Sequence, residues 1–125
     1  MKAFDVVNFL LIKIQVLDMV LVEKSEIEEF VDEASDILGD RVEEVLLFGS
    51  YAREDHVPGS DVDLLFLVSS VKSSDREELS KLAGEYFLEK EVVFSPKIVE
   101  KEKFDKRRKE SSGFYSEVAD QGVKI

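Results

Sequence analysis

The sequence predicts an α/β (α+β) domain in which helices flank a small β-sheet. Three observations carry that reading. Two apolar runs of strand length, Val45–Phe48 and Leu64–Val68, are separated by a polar stretch containing Pro58-Gly59. Two longer segments, opening near Ser25 and Ser74, repeat apolar residues at helical spacing behind capping patterns. A chain of 125 residues, 44% hydrophobic, makes one modest domain with a limited core.

The first segment, Met1–Val22, is rich in Phe, Val, Leu and Ile but is broken by Asp5, Asn8, Lys13, Gln15 and Asp18. It has no uninterrupted apolar span of membrane length, basic leader or cleavage pattern, so no membrane association or signal peptide is expected. We read residues 1–24 as an apolar extension that packs on its own domain or on another chain. A homo-oligomer contact is the preferred use. Residues 25–125 form the main domain. Ser25-Glu-Ile-Glu28 reads as a capping box for a helix over Glu26–Leu38, stopped by Gly39. Its buried stripe is Ile27, Phe30, Val31, Ala34, Ile37 and Leu38. The strand ending at Phe48 runs into Gly49-Ser50 and a short helix, Ser50–Arg53. Leu64–Val68 is apolar at every position, which suits a central strand covered on both faces. Ser74-Asp-Arg-Glu77 caps a second helix, Asp75 to about Lys90, with Leu79, Leu82, Ala83, Tyr86 and Phe87 inward. A strand over Glu91–Val99, a helix from Lys101 to about Glu110, and a helix over Phe114–Asp120 ended by Gly122 complete the chain. No repeat or low-complexity linker interrupts it.

The chemistry concentrates between Val45 and Val68. Gly49-Ser50 follows the C-terminal end of one strand, and after ten residues Asp61-Val62-Asp63 opens the next. If the strands pair antiparallel, those ends are neighbours and share one site. Parallel strands would separate them, and the connection is about the minimum for a parallel crossover. Side chains two apart on a strand share a face, so Asp61 and Asp63 can aim two carboxylates at one cation or at two close ones. Hard oxygen ligands with room left for phosphate suit Mg²⁺. Gly49 lets the backbone turn and approach a ligand, and the amides that open the Ser50 helix favour a triphosphate. Metal and phosphate-holding amides together make a phosphoryl or nucleotidyl transfer site. Arg53 closes that helical turn as a phosphate neighbour, with an ion pair near Glu54 or Asp55 as the competing reading.

Gly-Ser, ten residues, then Asp-x-Asp on the next strand resembles the signature of the DNA polymerase beta-like nucleotidyltransferase superfamily. Phe48-Gly-Ser-Tyr-Ala-Arg53 and Ser60-Asp-Val-Asp63 are similar to its small prokaryotic branch, the minimal nucleotidyltransferases. The likeness runs from about Ser25 to Ile125 and includes Gly113-Phe-Tyr-Ser-Glu-Val-Ala-Asp-Gln-Gly122. It implies a small mixed sheet with the motif on an antiparallel strand pair. It also implies Mg²⁺-dependent transfer of a nucleoside monophosphate from a triphosphate, ATP for preference, to an acceptor hydroxyl, with a partner protein one acceptor class. Asp61 and Asp63 would then be catalytic and metal-binding; Gly49, Ser50 and Arg53 would be nucleotide-binding. Small members of the family often accompany HEPN-domain proteins in toxin–antitoxin pairs, so such a partner is implied too.

Two departures matter. Family members usually carry Gly after the Arg, where this chain has Glu54. The family's third carboxylate falls at Ser95, with Glu91 four residues away on the same face and Glu100 on the other. A hydroxyl stays neutral near neutral pH and cannot replace a carboxylate as general base or full metal ligand. The sequence therefore also allows a catalytically weakened nucleotide-binding module that serves as partner of a HEPN-domain protein.

Composition narrows the rest. A net charge of −11 argues against a general nucleic-acid surface. The absence of cysteine excludes a disulfide framework and favours the cytoplasm. His56 reads as a solvated loop residue. The basic run Lys97, Lys101, Lys103, Lys106, Arg107, Arg108 and Lys109 reads as a solvated face of mixed charge, with a docking patch as the functional alternative.

Overall fold

The computed structural model describes residues 22–57, 59–109 and 113–125. Apart from its last three residues, the expected N-terminal extension lies outside them, and so does its proposed oligomer contact. The elements run α1 (Lys24–Leu38), a single 3-10 turn (Gly39–Arg41), β1 (Val42–Phe48), α2 (Gly49–Arg53) and β2 (Val62–Val68). They continue with α3 (Asp75–Lys90), β3 (Phe94–Glu100), α4 (Lys101–Arg107), α5 (Phe114–Gln121) and β4 (Val123–Lys124).

The sheet order is β3-β2-β1-β4. β1 is antiparallel to both β2 and β4, whereas β2 and β3 are parallel, with α3 as their crossover. The sheet is therefore mixed, and helices cover both faces. The run that reads as apolar at every position is central: Leu64, Leu65, Phe66, Leu67 and Val68 have no exposed surface. Its alternate residues serve two cores. Val62, Leu64, Phe66 and Val68 pack with α1 and α3, while Leu65 and Leu67 pack with Phe104 of α4 and Val118 of α5. The two-residue β4 was not anticipated, being too short to carry a period.

α1 buries Ile27, Phe30, Val31, Ala34 and Leu38, and Ile37 is partly buried. It begins at Lys24, and Ser25 forms no capping box. The Glu23 carbonyl already accepts from the amides of Glu26 and Ile27, so Ser25 lies inside the first turn. α3 buries Leu79, Leu82 and Tyr86, but Phe87 is 52% exposed rather than inward. The helix packs chiefly on β3 and α1 along a narrow stripe, and Phe87 lies past its edge. Ser74 makes no side-chain cap either. Asp75 instead braces the turn before the helix, accepting from the Lys72 amide at 2.6 Å and from both terminal Arg41 guanidinium nitrogens at 2.7 and 2.8 Å. Arg41 also donates to the Ser70 carbonyl at 2.9 Å, which ties the start of β1 to the end of β2 and to α3.

The third strand starts at Phe94, not Glu91. Glu91 ends α3 in a left-handed conformation, φ +57°, and so turns the chain before the strand begins. Phe94 stacks on Phe30 at 4.2 Å between ring centroids, and Tyr86 stands edge-on to both rings. α4 stops at Arg107, short of the expected Glu110, which lies outside the described residues.

Candidate active site

The register of β1 against β2 pairs Phe48 with Asp63. The antiparallel arrangement thus joins the end of one strand to the start of the other. Gly49, the next residue, has φ +73°, a region that only glycine enters without steric cost. A Cβ at Gly49 would also overlap the Asp63 carboxylate, with Asp63 Cγ 3.1 Å away. Glycine is required twice over, by its backbone angle and by the carboxylate packed against it.

Asp63 shares a side of β2 with Leu65 and Leu67, the side that faces α4 and α5. Asp61, exposed just before the strand, raises the Asp63 pKa together with the larger effect of burial; Lys97 and Arg53 oppose both from nearby. Arg53 closes α2 and pairs with Asp55, Nε to Oδ2 at 3.2 Å, the ion pair expected as the competing reading. Ser50 lies in the first turn of α2, which opens one residue earlier than expected, at Gly49.

A pocket of about 170 Å³ opens beside Gly49, lined by Phe48, Gly49, Arg53, Phe114, Glu117, Val118 and Gln121. The Phe48 and Phe114 rings meet edge to face at 5.4 Å on its wall. The α5 residues were missed as site candidates. Their spacing of three, one and three residues is one face of a helix, and that was the available signal. Lys97 was read as surface charge, although it lies two residues past Ser95 on the same side of β3.

Ser95 pairs in register with Asp63 across the parallel β2–β3 ladder. It occupies the strand position next to the carboxylate, and Glu91, expected four residues away on the same face, lies outside the strand. Among the described residues no three His, Asp or Glu side chains gather as a metal site. Two carboxylates still fit Mg²⁺, which keeps waters and substrate phosphate oxygens in its shell, and the burial and like charge that raise Asp63 are what a cation would relieve. Asp61 and Asp63 are the residues that would hold it.

Glu54, at the position where the resemblance implies Gly, ends α2 with φ +60°. The family's glycine is thus explained by a left-handed turn, which Glu adopts here at some strain. His56 is not a free loop residue. It is half-buried and stacks on Tyr51 at 4.0 Å, and the Tyr51 hydroxyl in turn accepts from the Val22 amide at 3.2 Å.

A family model described as the nucleotidyltransferase domain matches residues 24–119. The chain belongs to this family. Two proteins of Methanocaldococcus jannaschii, each provisionally named a protein adenylyltransferase, are similar to it. One is 36% identical over 100 residues, covering 79% of this chain and 94% of the relative. The other is 31% identical over 100 residues, covering 80% and 94%. Among solved structures, a toxin–antitoxin crystal structure with AMP-PNP shares the fold at 18% identity, with a TM-score of 0.52 over 78% of this chain and 70% of that one. The nucleotidyltransferase assignment thus agrees with the reading of Phe48–Arg53 and Ser60–Asp63. Among the described residues, no helix of this nucleotidyltransferase is long and apolar enough to cross a membrane.

Proposed function

We propose that this nucleotidyltransferase transfers a nucleoside monophosphate from ATP to a hydroxyl group of a partner protein, with Mg²⁺ held by Asp61 and Asp63. The observation that carries the reading is the packing of the Asp63 carboxylate against Gly49, which sets a cation ligand beside the turn that lines the pocket. The names of the two archaeal relatives support a protein as the acceptor class. Bound Mg²⁺ would neutralise phosphate charge and polarise the α-phosphorus.

The chain's own part is to bind and orient. Gly49, Ser50 and Arg53 hold the phosphates, and the Phe48–Phe114 wall takes part of the nucleoside. The acceptor oxygen bonds to the α-phosphorus, the bond to the bridging oxygen breaks, and pyrophosphate leaves. Ser95 cannot take the hydroxyl proton, so it passes to solvent and turnover is slow.

Ser95 beside Asp63 also favours a second reading: a nucleotide-binding module with weakened catalysis that acts through a HEPN-domain partner. Both readings expect calorimetric binding of ATP that needs Mg²⁺ and is lost in an Asp61→Asn, Asp63→Asn double variant. Single-turnover transfer of label from α-labelled ATP to a partner protein separates them. Equal ATP affinity in wild type and double variant at matched Mg²⁺ would sink both.

A further inference from the structure

Among the described residues β3 is an edge strand, paired with β2 on one side only. The Val62 amide donates to the Val93 carbonyl at 2.9 Å, and alternation along a parallel ladder then turns the backbone groups of Ser95, Lys97 and Val99 toward β2. Those of Phe94, Pro96, Ile98 and Glu100 turn outward. Pro96 stands at an outward position, where its missing N–H removes no ladder bond. With Lys97 it guards the edge against indiscriminate pairing, and past it Ile98, like Phe94 before it, offers both a donor and an acceptor.

The edge lies at the floor of a groove between the two helical layers. Two adjoining cavities, of about 400 and 360 Å³, follow it from Pro96 to Glu100. α3 contributes Arg76 and Ser80 to one wall, and α5 contributes Phe114 and Tyr115 to the other. Phe114 also lines the pocket beside Gly49, so this one ring borders both the groove and the candidate site. In a chain of net charge −11, the charged groups lining this groove are Arg76, Lys97 and Lys103 against Glu100 alone.

We propose that the β3 edge docks an extended, acidic segment of the acceptor protein as an added strand, with its hydroxyl-bearing residue beside Ser95. This rests on the transfer function proposed above. Ser95 to Glu100 spans roughly 17 Å of extended chain, so the acids of the segment lie about four or five residues from the hydroxyl. Main-chain bonds to Ile98 supply register, and alternate side chains reach opposite walls. The hydroxyl faces the α5 side, the side of Asp63. A polynucleotide is the weaker occupant, because three cations in an acidic protein neutralise few phosphates.

The probe is a short labelled peptide of alternating valine and threonine, with a tyrosine near one end and two aspartates near the other. Fluorescence anisotropy should show saturable binding to the full chain. It should weaken about tenfold in an Arg76→Glu, Lys103→Glu double variant and when the peptide backbone is N-methylated at alternate positions. Amide exchange at Ile98 should slow when the peptide is bound. ATP binding, followed by calorimetry on the same variant, should be unchanged. Absence of peptide binding, indifference to the charge reversal, unchanged Ile98 exchange, or tighter binding of a short oligoadenylate would each overturn the docking proposal. Loss of ATP binding in wild type would instead overturn the function on which it rests.

Discussion

Asp75 and Asp63 are both carboxylates at the start of an element, and the chain treats them in opposite ways. Asp75 is 1% exposed and fully partnered: hydrogen bonds from Arg41 first, and from the Lys72 amide, hold its carboxyl below the usual range despite burial. Asp63 is half-buried beside Asp61, and burial with that like charge holds its carboxyl above the usual range. One carboxylate is completed by the fold, and the other is left needing a positive partner. Perturbation alone does not mark a site; its direction, and what would relieve it, distinguish the two.

The largest expected effect breaks the second region. Asp61→Asn with Asp63→Asn should abolish Mg²⁺-dependent ATP binding and lower transfer by at least roughly 10²-fold, a loss on the scale of removing charge stabilisation. The fold should persist, and without metal the variant should melt slightly higher near neutral pH. The direction follows from the raised pKa: Asp63's favourable contribution is complete below its unfolded value and is lost as pH rises through the higher folded one. Thermal melts with and without Mg²⁺ check this. A variant that unfolds would make the pair structural.

Breaking the first region should do the reverse. Asp75→Ala removes the partner of a largely buried guanidinium and should cost about 3 kcal/mol in denaturant unfolding, with ATP affinity unchanged in the protein still folded. The wild type should also lose stability as pH falls below about 3.9 toward the lower folded pKa of Asp75. Asp75→Asn should flatten that acid limb.

Gly49→Ala joins the two kinds of damage. A side chain at φ +73° that also meets the Asp63 carboxylate should cost roughly 1–3 kcal/mol and displace that carboxylate. Chemical denaturation gives the first number, and weakened ATP binding in calorimetry gives the second. Ser95→Asp sharpens the contrast by adding the absent acid beside Asp63. Transfer should rise about tenfold or more, a partial recovery of the roughly 10²- to 10⁴-fold that a general base contributes, and stability should come to depend more on Mg²⁺ because three carboxylates repel without it. Fast wild-type transfer that Ser95→Asp leaves unchanged would show that another group already serves as base.

What the sequence made legible follows the range of the physics. The site's backbone was readable because Gly49, Asp61 and Asp63 lie close in the chain and antiparallel pairing is the short-connection solution. The central strand was readable from the unbroken Leu64–Val68 run. Asp75's role was not, because its partner, Arg41, is distant in sequence and a Ser-x-x-Glu pattern drew attention to Ser74 instead. Lys97 and the α5 residues were missed for the same reason: parallel β2–β3 pairing brings Lys97 near Asp63, and the stacking of α5 over the sheet brings its residues to Gly49. Phe87 was misread because amphipathic spacing shows a stripe but not its width.

The smallest prediction tests the strain beside the site. Glu54 and Glu91 both end helices in left-handed conformations, φ +60° and +57°, where a Cβ is crowded by the following carbonyl. Glu54 adjoins the nucleotide-binding turn; Glu91 ends α3 away from it. Replacing either with Gly relieves that crowding but adds freedom to the unfolded chain, so the net gain should be about 0.5–1 kcal/mol. If the Glu54 strain is incidental, both variants should gain similar stability and keep wild-type ATP affinity. If it helps aim the α2 amides, Glu54→Gly alone should gain stability while ATP binding weakens. Parallel denaturant unfolding and calorimetry on the two variants decide between these outcomes, and a Glu54→Gly protein less stable than wild type would show that the turn carries no strain to relieve.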